Sequence, residues 1–286
     1  MQSTISDWLY YNHAVIPATP PHETPNLLPI KNGSIWKING KHPFMARYTT
    51  DWDCGYDTGW WYVIKDSPFD ISLLKTKRRY EITKAMRFFE VKEIEPLEYV
   101  EDLCNVQELA YSAYPPKNRP RFDKEIFLKR IFARSKQVVA NKGKLFGAFE
   151  KESNKLVGFA FVDIHTSWIN FAAQKTCPEF ERKGLNAALV YGVLNSFGNK
   201  ITKNFYISDG VRSTVHETHF QDYLEKYFGF RKCYCKLETA YPPLCKIAIA
   251  ILFPFRRLLA LLGSRIGVFH LVSCVLIMEE IARKNR

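Results

Sequence analysis

GKLFGAFEKESNKLVGFAFVDIHTSWINFAAQKTCPEFERKGLNAALVYGVLNSF, residues 143–197, is the stretch whose reading decides the fold of this chain. Three strand-like runs come first, Gly143 to Glu150, Lys155 to Asp163 and Ser167 to Gln174. Lys151-Glu152-Ser153-Asn154 carries the turn residues of a hairpin between the first two. Pro178 to Gly184 reads as a loop. Leu185 to Phe197 follows as a helix, with apolar Leu185, Ala188, Leu189, Gly192 and Val193 at helical spacing.

Working outward, Phe88 to Ile94 alternates as a strand, and Pro96 suits the first turn of a helix running to about Ala113, where Pro115-Pro116 breaks it. Asp123 is placed to cap a helix to about Arg134, with Ile126, Phe127 and Ile131 as its apolar stripe. Downstream, Asn204 to Ser208 reads as a strand, His216 to Phe228 as a helix, and Phe230 to Thr239 as a strand after the corner Lys226-Tyr227-Phe228-Gly229-Phe230-Arg231. The order is strand, two helices, three strands, helix, strand, helix, strand, which predicts an α/β domain over residues 88–241.

The flanks differ. Residues 1–45 are Pro-rich, and Ile35 to Lys41 looks like a short hairpin. Trp60 to Lys65 reads as a strand by its aromatic and β-branched content, within an aromatic-rich extension over residues 1–87. Asp70 is placed to cap a helix through Lys84-Ala85-Met86 that carries Lys75, Lys77, Arg78, Arg79, Lys84 and Arg87. Residues 242–286 form an apolar and basic tail. Its Arg265 lies in the middle of the Leu258 to Met278 run, which argues against a membrane span and leaves two readings, a kinked helical pair on an anionic surface with Arg256, Arg257 and Arg265 toward phosphates, and a helical hairpin packed onto the domain or onto a second subunit.

The 286 residues are 47% hydrophobic and 24% charged, which suits a globular protein with a real core. The net charge of +12 favours an anionic partner: nucleic acid, a phosphate-rich cofactor or an anionic membrane. The first residues carry neither a basic nor an apolar leader region, and the seven cysteines are irregularly spaced. Reduced thiols and a cytoplasmic setting are therefore expected. Cys233 and Cys235 would share one face of a strand, and no second Cys or His pair joins them, so no metal is expected.

The element order from Phe88 resembles the Gcn5-related N-acyltransferase (GNAT) superfamily. Trp60 to Lys65, the basic run Leu74 to Ala85, Asp209-Gly210-Val211-Arg212-Ser213 and Phe220 to Phe230 look like its FemAB-type branch. The likeness covers roughly residues 60 to 241. It implies an α/β (α+β) fold with a mixed, mostly antiparallel central sheet flanked by helices. It also implies a gap between two central strands that holds a thioester's pantetheine arm, with pyrophosphate on the following helix N-terminus. The matching positions are Phe171, Ala172 and Ala173 on the strand and Arg182, Lys183, Gly184, Leu185, Asn186 and Ala187 at the turn. The family pattern Arg/Gln-x-x-Gly-x-Gly/Ala is met here by Glu181-x-x-Gly184-x-Asn186, so only the central Gly matches. FemAB enzymes carry two complete such domains, and residues 1–87 hold at most a fragment of one.

N-acyl transfer needs a base for the amine, an N–H for the oxyanion and a proton for the leaving sulfur. The base is sought among Asp209 at a strand end beside a Gly corner, His216 at a helix start, and Glu217, with Asp163 a weaker choice. The resemblance places a Tyr in the last helix as the acid, Tyr223 in preference to Tyr227. These readings converge on transfer from acetyl-CoA or another acyl-CoA to a primary amine, on an amino sugar or cell-envelope precursor. Aminoacyl-tRNA is the alternative donor, and a non-catalytic binding protein of the same fold is the alternative of another class. An anionic membrane surface at the inner face is the additional partner expected for the tail.

Overall fold

The computed structural model describes residues 7–38, 40–116, 119–212, 219–263 and 267–285. Expectations for Ser213, His216, Glu217 and Arg265 lie outside these residues. In chain order the elements are β1 (Trp8–Tyr11), β2 (Ala14–Pro17), α1 (Leu28–Lys31), β3 (Met45–Thr50), β4 (Trp61–Lys65), α2 (Thr76–Phe88), β5 (Phe89–Glu93), α3 (Val100–Ser112), α4 (Lys124–Val139), β6 (Gly143–Glu150), β7 (Lys155–Ile164), β8 (Trp168–Thr176), α5 (Leu185–Phe197), β9 (Tyr206–Val211), α6 (His219–Phe228), β10 (Arg231–Tyr234), β11 (Lys236–Ala240), α7 (Pro243–Leu252), α8 (Arg256–Gly263) and α9 (Gly267–Lys284). The fold is mixed α/β, with mostly antiparallel strands flanked by helices.

Asp123 caps α4 as its position predicts, its Oδ1 accepting the Ile126 N–H at 2.9 Å, but the helix runs on to Val139. Four local expectations are corrected. Ile35 to Lys41 is no hairpin of two strands: Ser34–Trp36 is a 3-10 turn and only an isolated bridge joins Ile38 to Lys41. Asp70 caps a separate 3-10 turn, Ile71–Leu73, by accepting from Ser72 N at 2.7 Å, and α2 begins later without a side-chain cap. The strand read over Phe230 to Thr239 is two strands, β10 and β11, in different sheets. Asp209 does not end its strand: β9 continues through Gly210, whose φ of +88° suits glycine alone, to Val211.

The chain forms two compact units, one from the described parts of residues 1–62, 211–219 and 232–286, the other from 63–210 and 220–231. The first holds a four-stranded sheet in the order β1-β2-β3-β11. β11 pairs antiparallel with β3, Lys236 opposite Thr50 through Ala240 opposite Ala46. Met45, Trp60, Cys235 and Leu237 pack there with Val275, Met278 and Ile281 of α9. Glu279 ties α9 to this sheet by accepting from Thr239 Oγ1 at 2.8 Å, Tyr241 Oη at 2.9 Å and Arg283 Nε at 2.8 Å. Burial works against its charge, yet these donors hold its carboxyl below the ordinary value. All seven cysteines are free thiols, and Cys233 and Cys235 are fully buried.

A seven-stranded sheet runs in the order β10-β4-β9-β8-β7-β6-β5. β6, β7 and β8 form an antiparallel meander because short turns join neighbours, β5 pairs antiparallel with β6 after the chain passes through α3 and α4, and β9 joins β8 in parallel because α5 crosses between them. α5 turns Leu185, Ala188, Leu189, Val190, Val193 and Leu194 inward, all buried, and its Phe197 ring lies 6.4 Å from that of Phe146 in β6. Its Gly192 lies so close to β5 that a Cβ there would collide with the Val91 side chain. Gly192→Ala gains about 1 kcal/mol of helix propensity but forces the helix off the sheet, so a net loss of about 1–2 kcal/mol is expected in urea unfolding. An unchanged or raised midpoint would show that the packing yields freely.

Candidate active site

The second unit holds a break in its sheet. β8 and β9 pair at only three positions, Trp168–Tyr206, Ile169–Ile207 and Asn170–Ser208. β8 then runs on to Thr176, still paired on its other side with β7 down to Gly158. The β7–β8 register shifts at this point: Val162 faces Phe171 and Phe161 faces Ala173, so Ala172 is the extra residue of a β-bulge. Past Asn170 the β8 edge toward β9 has no strand partner among the described residues. Phe171 is buried there, while Ala172, Ala173 and Gln174 keep partial exposure.

Gly184 and the start of α5 stand at the end of this edge. Gly184 has φ +89°, and a Cβ on it would meet Ala85 Cβ at 2.9 Å, so both conformation and the closeness of α2 require glycine. α5 begins without a side-chain cap, which leaves its first-turn N–H groups at Leu185, Asn186 and Ala187 to other acceptors. Arg182 is exposed beside them. Lys183 is engaged instead: its Nζ donates to Glu150 at 3.0 Å and lies 5.1 Å from the Phe180 ring centre.

Asn186, which stands where the resemblance has Gly or Ala, is held by β8. Gln174 Nε2 donates to Asn186 Oδ1 at 2.8 Å, and Thr176 Oγ1 lies 3.4 Å from the same oxygen and 3.3 Å from Glu181 Oε1. Gln174 Oε1 is buried and has no hydrogen-bond partner among the described residues. A buried carbonyl left so costs about 1–3 kcal/mol, which a donor on a bound molecule would recover. Gln174 and Thr176 were not singled out in the sequence. Their signal is the change from apolar to polar side chains at the end of an otherwise apolar strand.

α6 closes the group. Its Phe220 ring lies 5.9 Å from Phe171 of β8 and stacks at 6.1 Å on Tyr223, one helical turn on. Tyr223 also meets Tyr227 and Phe228, at 5.2 and 5.5 Å. Burial pushes its phenol well above the ordinary value, so it stays protonated. Tyr227 instead carries the Arg78 guanidinium over its ring at 3.5 Å. On β9, Asp209 follows the last β8-paired residue, and Gln221 of α6 donates to its backbone carbonyl at 3.4 Å. Burial pushes the Asp209 carboxyl up to about 7, against the contrary pull of a hydrogen bond with Gln221.

The structure thus brings Phe171, Ala172, Ala173, Asp209 and Tyr223 to one region and places Gly184 to Ala187 at the end of the same strand edge. Asp163 is occupied elsewhere, paired with Arg134 and accepting from Asn170 Nδ2 at 3.1 Å. Of the basic helix, Lys75, Lys77, Arg79, Lys84 and Arg87 of the Leu74 to Phe88 stretch are exposed, while Ile82 and Ala85 are buried. Among the described residues no cluster of three or more His, Cys, Asp or Glu side chains is arranged to hold a metal.

The sequence matches no protein-family model and no curated protein. Solved structures resemble parts of it. FemX is 10% identical over 65% of this chain, with a TM-score of 0.49, and this chain spans 63% of FemX. A possible acetyltransferase from Clostridium difficile is 13% identical over 49% of this chain and 88% of its own, with a TM-score of 0.37. The aminoglycoside antibiotic 6'-N-acetyltransferase from Acinetobacter baumannii is 12% identical over 51% of this chain and 92% of its own, also at 0.37.

Proposed function

We propose that this chain is an N-acyltransferase that moves an acyl group from a thioester, acyl-CoA, to a primary amine. The observation that carries the reading is the β8 edge that has no strand partner among the described residues beyond Asn170, is bulged at Ala172 and ends at the start of α5, which has no side-chain cap. An extended amide-bearing arm can complete that edge as a strand would, and the orphaned Gln174 Oε1 can take one of its N–H groups. Pyrophosphate is suited to the first-turn N–H groups of α5, with Arg182 adding charge.

In the reaction the amine nitrogen bonds to the acyl carbon, and the carbon–sulfur bond breaks. One proton leaves the amine and one reaches the departing sulfur. Asp209, held near 7, is matched to take the first at neutral pH. Tyr223, kept protonated, is matched to give the second. A backbone N–H near the Ala172 bulge is the donor assigned to the tetrahedral oxyanion. The acceptor class we assign is an amine on an amino sugar or a cell-envelope precursor.

Calorimetric titration with acetyl-CoA tests the donor. Binding is expected, and Arg182→Glu should weaken it about tenfold by reversing one charge beside the pyrophosphate, more at low salt than at high. Absence of binding to any acyl-CoA, together with strongly salt-dependent binding of aminoacyl-tRNA, would transfer the donor role to the exposed basic face of α2 and its nucleic-acid partner.

A further inference from the structure

α7 and α8 are apolar on the side that faces away from the protein as well as on the side that packs. Cys245, Ile249 and Leu252 of α7 line an apolar groove of about 230 Å³ with Leu271, Val272 and Val275 of α9. Leu259 of α8 is buried. Leu244, Ile247, Ile251, Phe255, Leu258 and Leu261 point the other way and are between 56 and 82% exposed. Their spacing of three or four residues makes them one stripe along α7, the 3-10 turn Phe253–Phe255 and α8. A helix that is apolar all round is normally covered on both sides.

The charges of the segment say what covers it. From Pro243 to Gly263 there are three basic residues, Lys246, Arg256 and Arg257, and no Asp or Glu. Arg256 is paired with Glu280 of α9 at 3.2 Å, while Lys246 and Arg257 are exposed beside the stripe. A second copy of the chain laid on this face by a two-fold axis would set these cations against each other without a carboxylate from the same segment to relieve them. An anionic bilayer surface presents the opposite charge and an apolar layer beneath it. No described helix is long and apolar enough to cross a membrane, so the segment would lie in the surface plane.

We infer that the α7–α8 face is a docking surface for anionic phospholipid bilayers, its apolar stripe entering the headgroup boundary and Lys246 and Arg257 facing lipid phosphates. The inference stands on this unit alone and does not rest on the acyltransferase reading.

Flotation of the full chain with phosphatidylcholine vesicles, with and without phosphatidylglycerol, tests it. Flotation with the anionic vesicles is expected, falling as salt is raised. Lys246→Gln and Arg257→Gln should each lower the partition coefficient about fivefold, and Ile251→Ser at least tenfold. All three positions are exposed, so circular dichroism should be unchanged. Equal flotation on both vesicles, or none on either, would overturn the proposal. So would a dimer in light scattering that Ile251→Ser dissociates, since the face would then belong to a second copy.

Discussion

Asp209→Asn is expected to lower turnover of an amine acceptor by roughly a hundred- to ten-thousand-fold, the range lost with a general base. The pH profile separates this from simple damage. In the unaltered protein kcat/KM should rise with pH through about 7, as the carboxyl ionises, and the variant should lose that limb. Stability should move the other way. The folded-state value lies above the unfolded one near 3.8, so the folded chain binds the extra proton between the two. This contribution is whole below about 4 and is lost as pH rises through about 7. Asparagine carries no charge to desolvate, so the variant should gain on the order of a few kcal/mol over the parent at pH 8 and little at pH 4. Melting curves at the two pH values read this directly. A variant with full turnover and no pH-dependent gain would make Asp209 an ordinary strand residue.

Tyr223→Phe is expected to cut turnover about ten- to a hundredfold while leaving donor affinity within about twofold. The effect is smaller than for the base because a thiolate is a fair leaving group, its conjugate acid having a pKa near 8.5. The ring stays packed between Phe220, Tyr227 and Phe228, so the loss is confined to the hydroxyl. Because burial raises the phenol, the parent's activity should show no falling limb near the ordinary tyrosine value of 10. A thioester with a more acidic thiol should narrow the gap between parent and variant. A loss that is the same for both leaving groups would return Tyr223 to a packing role.

Much of the second unit was legible because its signals are local. β6, β7, β8 and α5 follow from short strand-like runs, the turn residues between the first two and a 3.6-residue apolar period, each read within a dozen positions. The Asp123 cap is likewise a contact over three residues. Asp70 misled because the same side chain that caps a helix also caps a single turn, and Ser72 took it first. The site was legible only in part. Asp209 is a candidate by type and position and Tyr223 by the family resemblance, but the burial that lifts the Asp209 carboxyl to about 7 comes from packing that no local pattern carries. Gln174 reads as a polar strand residue until Asn186 is found against it.

The local sequence determined which segments became strand or helix, since backbone preference and side-chain period act between near neighbours. Tertiary structure alone decided which strands meet. Lys236 to Ala240 left the sheet of β10 to pair with Met45 to Thr50, far away in the chain. It also decided where β8 and β9 part, after Asn170 and Ser208. A strand edge offers the same N–H and C=O groups to every partner, so its pairing is chosen by the burial of whole faces. That choice, made by α5, α6 and the bulge at Ala172, opened the sheet where the chemistry is proposed.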